Sequence, residues 1–484
     1  MKQHIPAQVN KVVEALEKQG FEAFVVGGCV RDLLLGKEPE DWDVATNAKP
    51  EEVQKIFPKH FYENKFFTVT VLAESENARL KEIEVTTYRS DHKYADYRRP
   101  GEVRYAKMLE EDLSRRDFTV NAVALNTQEE YIDPFEGRKD LKAKILRAVG
   151  VAEKRFQEDA LRMMRAARLA TVLKFTIEEQ TKQAIQENAA LLQEISKERI
   201  QDELVKIIMA DNAMQGIELL RELKLLEYIM PELEEGYGIE QNKHHKYTVW
   251  EHNLLSLDYA AKQNWSSSVR VASLLHDVAK PRVKRGQGKD ATFYDHEVVG
   301  ASMAKRILQR LKFPNKDIES VTNLIRYHMF YYNVDEVTES AVRRLVRKIG
   351  PENVQDLLKL RQADRIGSGV PKAEPYKFRH LKYVIEKVAQ DPISSSMLKI
   401  NGNDIMHMGK LQPGPRVGHI LDVLLGEILE EPKNNTKAHL GKRAKELLEL
   451  PEQELHKQAV KSRQEREHIE TRRDEMTKQK YWVG

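Results

Sequence analysis

Asp41-Trp42-Asp43 sets two carboxylates at i and i+2 in a stretch, Asp41–Ala45, that reads as a strand. Strand side chains alternate between faces, so both carboxylates leave the same face, about 6.6 Å apart along the backbone. Side chains converging from that spacing suit a pair of divalent cations about 3.5–4 Å apart, which serves phosphoryl transfer. The residues just before supply an anion cradle. Phe21–Val26 reads as a short buried strand and Val30–Leu35 as the start of a helix. Gly27-Gly28 between them lets backbone N–H groups approach a phosphate closely, where the helix N-terminus favours negative charge. Alone, an Asp-x-Asp reads more often as a turn with solvated carboxylates, so its weight comes from what accompanies it.

Two further runs accompany it. Arg115-Arg116-Asp117-Phe118-Thr119-Val120-Asn121-Ala122 falls in a predicted strand, Asp117–Leu125, on which Asp117 and Asn121 share a face within reach of a ribose and a phosphate. In Glu158-Asp159-Ala160-Leu161-Arg162-Met163-Met164-Arg165-Ala166-Ala167-Arg168 the period is helical. Asp159 and Arg162 are then neighbours at i, i+3, with Arg165 next on the stripe. Such a pair offers acceptors and a planar donor fork, which suits the Watson–Crick edge of a base. Taken singly it is a surface ion pair.

Together these runs resemble the class II tRNA nucleotidyltransferases, the bacterial CCA-adding enzymes and their poly(A) polymerase relatives in the DNA polymerase β superfamily. The matching motifs are Gly27-Gly28-x-x-Arg31-Asp32, Asp41-x-Asp43, Arg115-Arg116-Asp117-Phe118-Thr119-x-Asn121-Ala122, Asp133-Pro134-x-x-Gly137, Glu158-Asp159-x-x-Arg162 and Glu198-Arg199-x-x-x-Glu203. The resemblance implies an α+β fold: a polymerase-β-like head with a mixed five-stranded sheet, then an all-helical neck, body and tail. It implies that Asp41 and Asp43 bind Mg2+ and do the chemistry, with Glu84 an auxiliary carboxylate. Gly27, Gly28, Arg31 and Arg116 would hold the triphosphate, and Asp117 and Asn121 the sugar. Asp159 and Arg162, with Arg165 and Arg168 on the same helix, would select CTP and then ATP for addition to a tRNA 3′ end. A-addition or poly(A) synthesis is the runner-up, because those enzymes share all these motifs, and an inert RNA-binding protein is the remote rival. Residues 89–105, with Arg98 and Arg99, read as a polar, basic loop similar to the flexible loop of CCA- and A-adding members.

A second constellation lies farther on. His276-Asp277, with His252, His296, His328 and Asp364 in order around it, resembles the HD phosphohydrolase superfamily. There an upstream histidine, the His-Asp pair and a distant aspartate ligate one metal, places that His252, His276, Asp277 and Asp364 fit. His296 and His328 would complete a second position. Mixed imidazole and carboxylate ligands favour Ni, Mn, Co, Fe or Zn over Mg. The implied activity is metal-assisted phosphoester hydrolysis, and a metal-stabilised scaffold is the non-catalytic alternative.

The elements that must position these groups divide by composition. The chain has 484 residues, enough for several domains. Residues 1–138 are strand-rich and form the head, and 139–235 the helical neck. Residues 236–385 are the histidine-bearing HD body, and 386–484 a helical tail suited to tRNA binding. With 79 basic against 76 acidic residues the net charge is +3, so an RNA partner would need a local basic surface. A single cysteine excludes an internal disulfide and a cysteine-rich zinc cage, and fits a reducing compartment. No stretch approaches the ~20 apolar residues of a membrane span, so a cytoplasmic enzyme with no membrane partner is expected. Nothing in the pattern sets an oligomeric state.

Overall fold

The computed structural model describes residues 4–63, 67–94, 100–242, 246–334, 336–389 and 394–483. The described chain forms two compact units. One comprises 1–329 with 355–371, and the other 330–354 with 372–484.

The first unit begins with the helix Ala7–Lys18, whose Val9, Val12, Val13 and Leu16 are buried at helical spacing. They cover one face of a mixed seven-stranded sheet. Its strands are β1 (Ala23–Val26), β2 (Asp43–Thr46), β3 (His60–Glu63), β4 (Thr68–Leu72), β5 (Glu82–Thr87), β8 (Ala124–Leu125) and β9 (Tyr131–Ile132). They lie in the order β3-β4-β5-β2-β1-β8-β9, with β2 and β5 parallel and every other pair antiparallel. Alternation divides the two faces. Val25, Val44, Val69, Val71, Ile83 and Val85 join the core under the first helix, with Trp42. The opposite face begins with Val26 and Ala45, packed with Leu109, Leu113 and Val149. Asp43 and Glu84 have the parity of that second face.

Three expectations need correction. The sheet has seven strands, not five: β3, an edge strand after the helix Pro50–Ile56, has no apolar alternation to reveal it, and the two-residue β8 and β9 extend the other edge. Asp117–Leu125 is not a continuous strand. A 3-10 turn, Thr119–Asn121, interrupts it; Ala124–Leu125 joins the sheet, while Phe118 makes an isolated antiparallel bridge to Ala148. Residues 89–105 contain not an open loop but a two-stranded antiparallel ribbon, β6 (Arg89–Tyr94) and β7 (Pro100–Tyr105), that pairs Arg89 with Tyr105. Its sequence hid it, since its residues show no hydrophobic period. Arg98 and Arg99 lie outside the described residues.

From Gly137 onward the chain is almost wholly helical. Leu161–Leu173 and Lys197–Ile208 pack together, and Val249–Lys262 packs on Ser267–Leu275. Arg270, 1% exposed, ties the ends of these helices. Its guanidinium donates to the carbonyls of Ile208, Ala210, Ala261 and Trp265 and to Asn264 Oδ1. In the second unit Pro415–Glu430 packs on Glu452–Tyr481. The charged C-terminal run is thus a helix that buries Leu455 and Ala459.

Candidate active site and metal centre

Asp43 opens β2, and Asp41 lies just before it, exposed. Between them Trp42 is 3% exposed, in the core on the far side, so the alternation runs on past the strand end and turns both carboxylates to the open face. The parallel register sets Glu84 of β5 directly beside Asp43. Burial, reinforced by Asp41 and Glu84, pushes the Asp43 carboxyl up to about 6 although Arg116 opposes the shift. A crowded carboxyl that resists ionisation, as Asp43 does, is what a divalent cation would relieve, so these side chains fit Mg2+. Asp43 and Glu84 border a cavity of about 380 Å³ walled by Thr68, Thr70, Thr86, Arg89, Arg115 and Arg116.

Gly27, at φ +86° and ψ −139°, turns β1 into the helix Gly28–Leu34. A Cβ there would lie 2.9 Å from Nη1 of Arg116 and 3.1 Å from Oδ2 of Asp43, so only glycine fits without displacing them. From that helix Arg31 donates to Asn121 Oδ1 at 2.8 Å while its other edge grips Asp32 at 2.9 and 3.0 Å. Asn121 in turn donates to Asp117 Oδ1 at 3.0 Å, and Arg165 donates to Asp117 Oδ2 at 2.7 Å. Burial opposes ionisation of Asp117, but Arg165 and Asn121 outweigh it and hold the carboxyl well below the usual range. The 3-10 turn, rather than strand alternation, brings Asp117 and Asn121 together. Arg115 and Arg116 are anchored by the buried Asp112.

Asp159 and Arg162 do not form the predicted helical pair. Asp159 sits in the break between the helices Ala152–Glu158 and Leu161–Leu173, where its carboxylate accepts the Leu161 N–H at 3.1 Å. An aspartate that bonds nearby backbone N–H groups competes with the continuous helix, which is why the two helices separate here. Arg199, from the neighbouring helix, grips Asp159 at 2.7 and 3.3 Å. Arg162 turns to Glu158 at 2.6 Å and to the Arg115 carbonyl at 2.8 Å. Arg168 pairs with Glu203 at 2.9 Å. The positional roles of Glu158, Arg199, Glu203 and Asp112 escaped sequence reasoning. Three of them stood in the quoted motifs, and that was the only signal available.

The histidine cluster converges in one buried knot. Nε2 of His252 lies 2.8 Å from Nε2 of His276, 3.0 Å from Asp277 Oδ2 and 3.5 Å from Asp364 Oδ1. The other oxygen of Asp277 faces Nε2 of His296 at 3.4 Å and of His328 at 3.8 Å. Asp277 therefore bridges two groups of ligand atoms. His276, His296 and His328 each direct Nδ1 at the backbone carbonyl three residues earlier, at 2.9, 2.7 and 2.7 Å. Donation from Nδ1 fixes the tautomer and leaves an Nε2 lone pair aimed into the knot, the usual second-shell support of a metal-binding imidazole. Burial pushes His328 down to about 3. Burial opposes ionisation of Asp277, yet Lys280 and His276 overcome it and keep the carboxylate charged. Imidazole nitrogens around ionised carboxylates fit a divalent transition metal, whose binding would displace the proton that, despite burial, Asp277 and Asp364 favour on His276. Beside the knot opens a cavity of about 770 Å³ lined by Lys280, Tyr294, Arg361 and Arg365.

Three family models match the chain. They are the Poly A polymerase head domain over residues 23–147, the "Probable RNA and SrmB- binding site of polymerase A" over 174–236, and tRNA nucleotidyltransferase domain 2 over 294–474. The CCA-adding enzyme of Ligilactobacillus salivarius is 34% identical over 457 residues, covering 92% of this chain and 98% of that protein. This chain belongs to the CCA-adding enzyme family. Another member, from Lactobacillus delbrueckii subsp. bulgaricus, is 50% identical over 210 residues, which are 43% of this chain and 52% of that relative. Over this stronger match the chain thus spans about half the length of the curated relative. Among solved structures, the CCA-adding enzyme of Bacillus stearothermophilus in complex with CTP superposes with a TM-score of 0.60 at 30% identity, covering 91% of this chain and 98% of the other. The Thermotoga maritima CCA-adding enzyme complexed with tRNA, 18% identical with a TM-score of 0.52 over 92% of this chain and 97% of that one, shares the fold. Within this CCA-adding family member, no described helix is long and apolar enough to cross a membrane.

Proposed function

We propose that this chain is a cytoplasmic tRNA nucleotidyltransferase that builds or repairs the 3′-terminal CCA of tRNA from CTP and ATP without a nucleic-acid template. The observation that carries this reading is the bonded chain Asp32–Arg31–Asn121–Asp117–Arg165. It ties the helix that follows the Gly27-Gly28 turn, through the Thr119–Asn121 turn, to the helix that bears Arg162, so phosphate binding and base recognition share one support. Residues 1–138 act as the catalytic head, 139–235 as the base-reading neck, 236–385 as an HD-type domain and 386–484 as a tRNA-binding tail.

In the reaction the tRNA 3′-oxygen displaces pyrophosphate from the α-phosphorus of the incoming nucleotide. Asp41 and Asp43, with Glu84 beside them, would hold Mg2+, which would supply acidification of the 3′-hydroxyl and charge compensation for the leaving pyrophosphate. Backbone N–H groups at Gly27 and Gly28 receive phosphate oxygens, and Arg31 and Arg116 supply positive charge to the same chain of phosphates. Asp117 and Asn121 accept and donate to the ribose. Asp159 and Arg162 present acceptor and donor to the base edge. Arg199 and Glu158 hold those two side chains, while Arg165 and Arg168 supply the positive wall behind them.

The test is extension of tRNAs ending before CCA, after C and after CC, with CTP and ATP supplied separately. CTP incorporation on the shortest tRNA is the expected result. Extension by ATP alone would replace the reading with A-addition or poly(A) synthesis.

The knot around Asp277 supports a second activity in the same chain, hydrolysis of phosphoesters. Its metal, of the Ni, Mn, Co, Fe or Zn class, supplies Lewis-acid activation of water and of the phosphoryl group. His252, His276, Asp277 and Asp364 hold one position, and Asp277, His296 and His328 the other. Lys280, Arg361 and Arg365 present positive charge to a phosphate in the adjoining cavity.

A further inference from the structure

One row of residues crosses the open face of the seven-stranded sheet and changes character at Asp43. The pairing sets Thr70 of β4 beside Glu84 of β5, and Glu84 beside Asp43 of β2. Val26 of β1 and Ala124 of β8 continue the row beyond Asp43. Residues in register share a face of the sheet. On the β1 side the row is apolar and buried, packed with Leu109 and Val149. On the β5 side it is polar and open. Glu84 is exposed and Thr70 half-buried, and both line the cavity of about 380 Å³ with Thr68, Thr86 and Arg89. The Thr68 and Thr86 hydroxyls engage each other at 3.0 Å, whereas the Thr70 hydroxyl makes no hydrogen bond among the described residues. The phosphate cradle abuts Asp43 from the β1 side, since a Cβ on Gly27 would lie 3.1 Å from Asp43 Oδ2. In-line displacement sends pyrophosphate out on one side of the α-phosphorus and brings the attacking oxygen in on the other. With the leaving group on the Gly27-Gly28 side, the attacking end enters over Glu84 and Thr70.

We propose that Thr70 and Glu84 bind the terminal ribose of the tRNA primer through its 2′-hydroxyl and so hold the neighbouring 3′-hydroxyl beside Asp43. The inference rests on the tRNA reading above and deepens it by assigning the primer's subsite. The chemistry of the pair selects a hydroxyl over a phosphate. A carboxylate repels an anion, whereas a 2′-hydroxyl donates to Glu84 and accepts from Thr70 Oγ1. Adjacent strands lie about 4.8 Å apart, so one sugar placed over Glu84 reaches toward Thr70 with one oxygen and toward Asp43 with the next. The apolar row beyond Asp43 offers no such partner. Because the 2′-hydroxyl is what tells RNA from DNA, the row also selects an RNA end.

The test is a cycle of two changes, one in the protein and one in the RNA. Full-length wild type and Thr70→Val are each given ATP and a tRNA ending in CC. The last sugar of that tRNA is either ribose or 2′-deoxyribose, with the 3′-hydroxyl kept in both. Valine keeps the branching and strand preference of threonine, so unfolding temperatures should agree. Each change alone should lower kcat/KM for tRNA about tenfold, the effect of losing one hydrogen bond. Together they should lower it by about the same tenfold rather than a hundredfold, because both remove one contact. Thr70→Ser, which keeps the hydroxyl, should restore addition to the ribose-ended tRNA, and KM for ATP should not move. Losses that multiply would overturn the inference, as would a wild-type rate for Thr70→Val on the ribose-ended tRNA. A rise in KM for ATP with the tRNA dependence untouched would give Thr70 to the nucleotide and also overturn it. In all three cases the wild type still adds ATP, so only the primer subsite falls. No addition by the wild type to the ribose-ended tRNA would remove the nucleotidyltransferase reading, and the subsite with it.

Discussion

Substituting Gly27 by alanine separates two costs that usually arrive together. The first is backbone strain. With φ +86° and ψ −139°, Gly27 occupies a region nearly closed to side chains, and forcing alanine into it costs about 1–3 kcal/mol of stability. The second is displacement, since the new Cβ would sit 2.9 Å from Arg116 Nη1 and 3.1 Å from Asp43 Oδ2. Both atoms are tips of flexible side chains, so yielding costs little stability, but it moves the Asp43 carboxylate, which is proposed to hold the metal, and the Arg116 cation beside it. Misplacing a reacting group by about 1 Å costs about 100-fold in rate. Gly20 is the control, because its φ is +87° yet nothing lies within 4 Å of the position its Cβ would take. Both variants should lose stability in urea, Gly27→Ala the more, because Gly20 caps the first helix in the milder left-handed conformation, where alanine costs about 1–2 kcal/mol. Only Gly27→Ala should lose about 100-fold in single-turnover CTP addition. If Gly27→Ala keeps its rate within about threefold of Gly20→Ala, less than 1 kcal/mol in barrier, the close approach of loop and carboxylate has no catalytic meaning.

Other perturbations probe the remaining parts. The Asp43 carboxyl is raised in the folded state from 3.8 to about 6, so its contribution favours folding at low pH and is lost as pH rises through about 6. Above that pH the metal-free carboxylate costs up to about 3 kcal/mol, at about 1.4 kcal/mol per unit. Asp43→Asn in EDTA should then melt above wild type at pH 8 and converge with it at pH 4; identical melting at pH 8 would remove the crowded-carboxylate argument. Arg270→Met strips five hydrogen bonds from a guanidinium 1% exposed and leaves helix-end carbonyls unpaired, a loss of about 3 kcal/mol or more. Urea denaturation reads it, and a loss below about 1 kcal/mol would mean that water replaces the arginine. His276→Ala should lower bound transition metal by elemental analysis and abolish phosphodiesterase turnover; equal hydrolysis by variant and wild type would leave the knot a scaffold. Arg199→Gln should free Asp159 and raise KM for CTP and ATP about tenfold, the effect of losing roughly 1.4 kcal/mol of positioning. An unchanged KM for both would show that Asp159 needs no such anchor.

What the sequence made legible follows the range of the forces involved. Asp41, Trp42 and Asp43 obey a two-residue alternation, a local property, and the structure keeps it even where Asp41 lies outside the strand. The ligand-type residues of the knot were legible by kind and order, because a buried cluster of imidazoles and carboxylates has few other uses. The ribbon at 89–105 and the edge strand His60–Glu63 were not, since neither sequence shows alternating apolar residues. Asp159 shows the deeper limit. Its periodicity said helix and its nearest cation was Arg162, yet its carboxylate is taken by the Leu161 N–H and by Arg199, forty residues away. Local bonding to the backbone broke the helix, and a partner reached only through tertiary packing completed the ion pair. The consequence reaches function: if Asp159 reads the base, its aim is set jointly by a helix break and by Arg199 on a second helix. Nucleotide choice would then respond to movement between Leu161–Leu173 and Lys197–Ile208. A rigid template borne by one continuous helix, as the i, i+3 spacing suggested, would lack that adjustability. An enzyme that must accept C before A from one site gains from having it.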